Sequence, residues 1–124
     1  MIHKIMVVDD DKEWNLVLKM TLQKSGYEVT QAYNGKEAID KIGQDKPDLV
    51  LLDVTMPVMG GWEVCEALRA DPATRDLPLF ILSSYSSPVD IQQGKLHHIK
   101  RYIIKPCSLQ MVLQYVSDVS NEGS

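Results

Sequence analysis

Asp9, Asp10 and Asp11 stand in a row near the start of the chain, and a further aspartate, Asp53, closes the apolar run Leu49-Val50-Leu51-Leu52. Converging carboxylates repel one another and raise each other's affinity for protons, so a hard divalent cation would relieve them. Magnesium fits best, because it takes a few carboxylates and keeps waters that a substrate phosphate can replace. Ser83-Ser84-Tyr85 ends another apolar run and brings hydroxyls; Lys105-Pro106 ends the last one. A lysine standing alone would extend its stem toward water, but beside carboxylates it can grip a phosphoryl oxygen. Carboxylates, metal, hydroxyl and lysine form a set suited to phosphoryl transfer, with Asp53 as the nucleophile that forms an acyl phosphate. The metal, hydroxyl and lysine would stabilise charge on the transferring group. Asp11 has the plainer reading of a solvated residue at a helix N-terminus, where the macrodipole favours an anion.

Such a set works only if the fold gathers it. Five short runs rich in β-branched or aromatic residues, at 4–9, 27–33, 48–54, 78–85 and 101–105, have strand length. Helical patterns separate them. After the first, Trp14, Val17, Leu18 and Leu22 are expected on one inward face, with Gly26 as the terminating glycine. After the second, Asn34 is the expected cap and Ala38, Ile39 and Ile42 face inward. The third strand is followed by the pattern GWEVCEALRAD. In the fourth helix Ser87 can cap and Pro88 suits the first turn, while Gly94 costs about 1 kcal/mol relative to alanine. Leu109, Val112, Leu113 and Val116 form the stripe of the last helix, and 121–124 reads as a disordered tail after a single domain at 1–120.

The alternation predicts an α/β, flavodoxin-like (βα)5 three-layer fold. Its five-stranded parallel sheet is covered by helices on both faces in order 2-1-3-4-5. In that order ligands bind beyond the carboxyl ends of strands 1 and 3, where Asp9, Asp10 and Asp53 fall. Composition agrees with one ordinary domain: 124 residues, 44% hydrophobic and 24% charged. No apolar run approaches the ~20 residues of a spanning helix, and the N-terminus lacks a secretory pattern, so a cytoplasmic protein is the default. The net charge of −4 disfavours nonspecific nucleic-acid or acidic-membrane binding. Cys65 and Cys107 lack metal spacing and read as reduced structural thiols.

From about Lys4 to Ser117 the chain resembles the receiver domains of two-component response regulators. Val7-Val8-Asp9-Asp10 is similar to the family's acidic pair, and Leu51 to Pro57 is similar to its phosphoacceptor segment. The resemblance implies that Asp53 is phosphorylated and that Asp9, Asp10, Asp53 and the Thr55 backbone carbonyl hold magnesium. It implies Ser83 as the switch hydroxyl, Tyr102 as the switch aromatic, Lys105 as the lysine of the site, and a cis bond at Lys105-Pro106. Thr55 and Tyr85 would flank the phosphoryl group and tune its lifetime. Implied partners are a sensor histidine kinase or histidine phosphotransfer protein, and a downstream protein or an output domain beyond this segment. A homodimer through 86–116 is open, while direct nucleic-acid binding and membrane association are not expected. The domain would catalyse only its own phosphorylation and dephosphorylation.

The chain departs from the pattern at several places: Val58 and Gly60 replace a polar residue and an aspartate, Ser84 a smaller residue, and Cys107 a common phenylalanine. The stretch Lys95 to Arg101 replaces a turn of small residues; it reads as a solvated basic loop or a docking patch for an acidic partner. Met111 and Tyr115 divide between packing and interface. Two other classes fit the sequence less well. A phosphohydrolase with a nucleophilic aspartate would want a second aspartate where Thr55 stands. A nucleotide- or flavin-binding module would want a glycine- or hydroxyl-rich loop after strand 1, where the acids stand.

Overall fold

Five parallel strands, each followed by a helix, build the chain: β1 (Lys4–Val8), α1 (Lys12–Lys24), β2 (Glu28–Ala32), α2 (Gly35–Gln44), β3 (Leu49–Asp53), α3 (Gly61–Ala70), β4 (Leu79–Ser83), α4 (Pro88–Leu96), β5 (Arg101–Ile104) and α5 (Leu109–Glu122). This computed structural model describes residues 2–54, 59–84 and 88–122, with the side chains of Val89 and Asp90 excepted. The expected cap Ser87 lies outside them. The sheet order is β2-β1-β3-β4-β5, the order the alternation predicted. No helix among the described residues is long and apolar enough to cross a membrane.

Side chains alternate across each strand, so one apolar run supplies two cores. Ile5, Val7, Leu49, Leu51, Phe80 and Leu82 face α1 and α5, meeting Leu18, Leu22, Val112 and Val116. Met6, Val8, Val50, Leu52, Leu79 and Ile81 face the other way onto Ala38 and Ile42 of α2 and Val64, Cys65 and Leu68 of α3. Burial pushes the Cys65 thiol up to about 12, which fits an inert structural cysteine. This double burial is why β3 and β4 are apolar without alternation.

Two expectations need correction. Val17 does not face the core: it is 40% exposed, alongside the exposed Leu16 and Met20. Asn15 takes the inward place, fully buried with Leu18 and Leu22. Its amide is satisfied three ways, so burying it leaves no orphan polar group: Nδ2 donates to the Asp9 and Ala32 carbonyls at 3.0 and 3.1 Å, and Oδ1 accepts from Gln31 Nε2 at 2.8 Å. The second correction is at the end of the chain, where α5 runs on to Glu122 rather than giving way at 121. Arg101 Nη2 approaches Glu122 Oε1 at 3.3 Å.

Candidate functional site

Parallel pairing places every strand's carboxyl end at the same edge. Val8 lies beside Leu52, Asp53 beside Leu82 and Ser83 beside Ile104, so the residues just past or at those ends converge. Asp9 follows β1, Asp53 ends β3, Ser83 ends β4 and Lys105 follows β5. The Lys105 amide donates to the Ser83 carbonyl at 2.8 Å, tying the last two together. The Lys105-Pro106 peptide bond is cis.

Carboxylate oxygens of Asp9, Asp10 and Asp53 lie within 4.8 Å of one another. Asp9 and Asp53 are buried, at 3% and 8% exposure, while Asp10 reaches solvent. Lys105 does not extend away into water: its Nζ lies 2.8 Å from Asp9 Oδ2 and 3.8 Å from Asp53 Oδ2. Burial alone would lower its pKa, but the hydrogen bond to Asp9 and the charges of Asp9, Asp53 and Asp11 hold it above the ordinary value. One ammonium against three carboxylates leaves a surplus of negative charge. Oxygen donors at this spacing, partly buried and one of them open to solvent, are the set a hard divalent cation takes.

The loop carrying the acids is held from several sides. Asp9 Oδ1 accepts from the Asp11 amide at 3.0 Å, and the Asp9 amide donates to Ala32 O at 3.1 Å. Asp11 stands apart from the cluster and caps α1, its Oδ1 accepting from the Glu13 and Trp14 amides at 3.1 and 3.2 Å. That matches its plainer reading. Asp53 is held through the start of α3. A Cβ on Gly61 would sit 2.5 Å from both Asp53 O and Val54 Cα, so only glycine lets α3 begin against the end of β3.

Thr55 and Tyr85 lie outside the described residues, as do Met56 and Val58. Ser83 is fully buried at the site, and Ser84 is exposed beside it. Tyr102 lies in mid-strand opposite Ile81, half-buried, with its ring centroid 6.2 Å from that of Trp62. The structure therefore brings together Asp9, Asp10, Asp53, Ser83 and Lys105, and sets Tyr102 apart on β5. A cleft of about 360 Å³ opens next to Lys105, lined by Asp11, Trp14, Ser84, Lys105, Pro106 and Cys107. The Lys105 ammonium stands 5.8 Å from the Trp14 ring centre.

Sequence reasoning missed three residues. Asn15 fixes the acidic loop, and its signal was a polar residue three before Leu18 and seven before Leu22 on the inward stripe. Gln31 supports Asn15. Arg69, half-buried in the last turn of α3, donates to the carbonyls of His97, Arg75 and Leu77 at 2.8, 2.9 and 2.8 Å. No local pattern announces it. It holds the start of the basic stretch, where His97 is half-buried with its ring stacked on Trp62 at 6.0 Å. Burial holds the His97 pKa down, with Glu66 opposing and Arg69 and His98 reinforcing. His98 takes a φ of 57°, a left-handed conformation usually left to glycine.

Fold and rim define the chain as a flavodoxin-like α/β module whose acidic cluster and lysine share the carboxyl edge of the sheet. The family model of the response regulator receiver domain matches residues 5–117. Among solved structures, the chain is similar to the chemotaxis protein CheY4 of Vibrio cholerae, with 32% identity over 96% of this chain and 99% of that one, at a TM-score of 0.89. It is similar to a CheY-like response regulator receiver domain protein from Methanospirillum hungatei JF-1 (25% identity, 98% and 96% covered, TM-score 0.91). A two-component response regulator from Clostridium difficile matches at 28% identity, with 96% of each chain covered and a TM-score of 0.89. The chain belongs to the response regulator receiver domains of two-component systems.

Proposed function

We propose that this receiver domain accepts a phosphoryl group on Asp53 from the phosphohistidine of a sensor kinase or phosphotransfer protein. A carboxylate oxygen of Asp53 forms the new O–P bond as the donor's P–N bond breaks, and the departing imidazole nitrogen takes a proton. The observation that carries this reading is the convergence of Lys105 with Asp9 and Asp53, a cation already within reach of the acceptor. Asp9, Asp10 and Asp53 would hold magnesium, joined by the Thr55 carbonyl on the strength of the resemblance. The ion would supply positive charge against the phosphoryl oxygens.

Lys105 and the Ser83 hydroxyl would turn to the phosphoryl group, and the space Ser83 leaves would shift Tyr102 between two positions. The face at 86–102 and 108–116 would change with it and meet the downstream protein, or pair two copies. Exposed Ile91, Leu96 and Met111 fall within those stretches. The place of work would be the cytoplasm, with no nucleic acid or membrane bound by this domain. Thr55 and Tyr85 would slow self-dephosphorylation, since neither carries a carboxylate or amide to orient water.

The test is mass spectrometry after treatment with acetyl phosphate and magnesium. Asp53 alone should gain one phosphoryl group, about 80 Da as the mass of that group requires. Equal labelling of Asp53→Asn would sink the assignment.

A further inference from the structure

The acceptor strand has a rigid attachment to the α4–β5 connection that does not pass through Ser83. Gly61 sits against the Asp53 and Val54 backbone, with its amide donating to Val54 O at 3.1 Å. The next residue along α3 is Trp62. Its indole meets two rings: His97 of the α4–β5 connection, stacked at 6.0 Å and 23°, and Tyr102 of β5, tilted 34° at 6.2 Å. Gly94 of α4 packs beside this arrangement: a Cβ there would make ordinary contact with Tyr102 Cδ2 at 3.4 Å and Trp62 Cη2 at 3.9 Å. Two turns further on, Arg69 of the same helix binds the His97 carbonyl at 2.8 Å. α3 thus grips one connection twice, by an aromatic ring and by a guanidinium.

The Trp62 Nε1 is buried and has no hydrogen-bond partner among the described residues. The ring is therefore placed by packing rather than by its N–H. A phenyl ring could do the same work, whereas a branched aliphatic chain has no flat face to stack.

We propose that Trp62 is a positioning residue that holds Tyr102 and His97 and carries a displacement of the Asp53–Val54 backbone to the α4–β5 connection. Packed contacts transmit such displacements because interiors are close-packed and do not deform smoothly. Residues between two sites are not by themselves coupled; what both must bias is one two-position element, here the Tyr102 ring. The claim about transmission rests on the phosphoacceptor reading above, while the claim about Tyr102 placement does not.

The experiment has two arms on isotope-labelled wild type, Trp62→Leu, Trp62→Phe and His97→Ala. Without ligand, χ1 couplings of Tyr102 should show one dominant rotamer in wild type and Trp62→Phe, and at least two mixed rotamers in Trp62→Leu. A single unchanged rotamer in Trp62→Leu overturns the positioning role. With magnesium and beryllofluoride as the phosphoryl mimic, amides at Asp9, Asp10 and Lys105 should shift in all four proteins. Shifts at 97–102 should fall by half or more in Trp62→Leu and stay near wild type in Trp62→Phe. Full shifts at 97–102 in Trp62→Leu overturn the transmission. If Trp62→Leu does not fold, His97→Ala decides both arms, with reduced shifts supporting and full shifts refuting. Absence of any mimic-dependent shift in wild type refutes the phosphoacceptor reading and its transmission together, and the rotamer arm still decides Tyr102 placement.

Discussion

Replacing Asp10 by asparagine should stabilise the metal-free protein while removing most of what magnesium adds. Oxygens of Asp9, Asp10 and Asp53 lie within 4.8 Å of one another. At that distance two unit charges repel by about 0.9 kcal/mol in water and about 3.5 kcal/mol at an effective dielectric of 20. Asp10 is exposed, so the lower figure is nearer. Asp9 and Asp10 are also neighbours in the unfolded chain, so their repulsion largely cancels and the term specific to folding is the one with Asp53. The net gain on neutralising Asp10 is about 1 kcal/mol, or roughly 4 °C in melting temperature for a domain of this size. Magnesium at ten times its dissociation constant should add about 1.4 kcal/mol to wild type; a tenfold weaker site in Asp10→Asn cuts this to about 0.4 kcal/mol. Thermal melts with and without magnesium, using calcium as a second ion, read both quantities. A metal-free Asp10→Asn protein melting below wild type would refute the repulsion argument. Equal magnesium gains in both would place the ion elsewhere.

Gly61→Ala should destabilise by about 2–3 kcal/mol, read from a urea midpoint, because the new methyl meets backbone atoms of Asp53 and Val54 at 2.5 Å. Asn15→Leu should lose about 1–3 kcal/mol, since the Asp9 carbonyl and the Gln31 amide lose a buried partner; an unchanged midpoint would refute that role. His97 is held below its ordinary pKa, so the unfolded chain takes a proton first and stability is lost as pH falls from about 6.5 toward the folded value. Melts from pH 7.5 to 5.5 should decline less steeply in His97→Gln. Tyr85→Ala with Thr55→Asn should hasten phosphoryl loss about tenfold, or ~1.4 kcal/mol of barrier, measured as decay after donor removal.

What the sequence made legible was whatever a local period or a chain-order argument could carry. Asp53 could be placed beside Asp9 before any coordinates because two buried parallel strands, β1 and β3, must end at the same edge. The inward face of α1 was misjudged at Val17 because a hydrophobic stripe treats every apolar residue alike. Asn15 wins that place through bonds to the carbonyls of Asp9 and Ala32, the latter 17 residues distant. Arg69 escaped notice for a related reason: its partners His97 and Leu77 belong to two separate loops that only the folded chain brings together. The basic stretch is solvated at Lys95, His98 and Lys100, as its charge suggested; His97 departs from that because its ring lies on Trp62, a residue 35 positions earlier.

These long-range fastenings bear on how the proposed site would work. The Lys105 backbone is bonded to Ser83 O, which ties the ends of β4 and β5 together. The freedom at the rim therefore lies in side chains, above all the Lys105 ammonium, which stands nearer Asp9 than Asp53. Phosphorylation would take Asp53 from one negative charge to nearly two and add acceptor oxygens, drawing that ammonium across. Asp9 would then lose its partner while still 3% exposed, and an unpaired buried carboxylate is costly. A bound cation offsets that cost, which gives the metal a second purpose besides assisting transfer: it lets the lysine leave. On this argument magnesium should matter as much for holding the phosphorylated conformation as for forming it. Chelation after phosphorylation should return Lys105 toward Asp9 while the acyl phosphate persists, a shift that the Lys105 side-chain amine resonance would report.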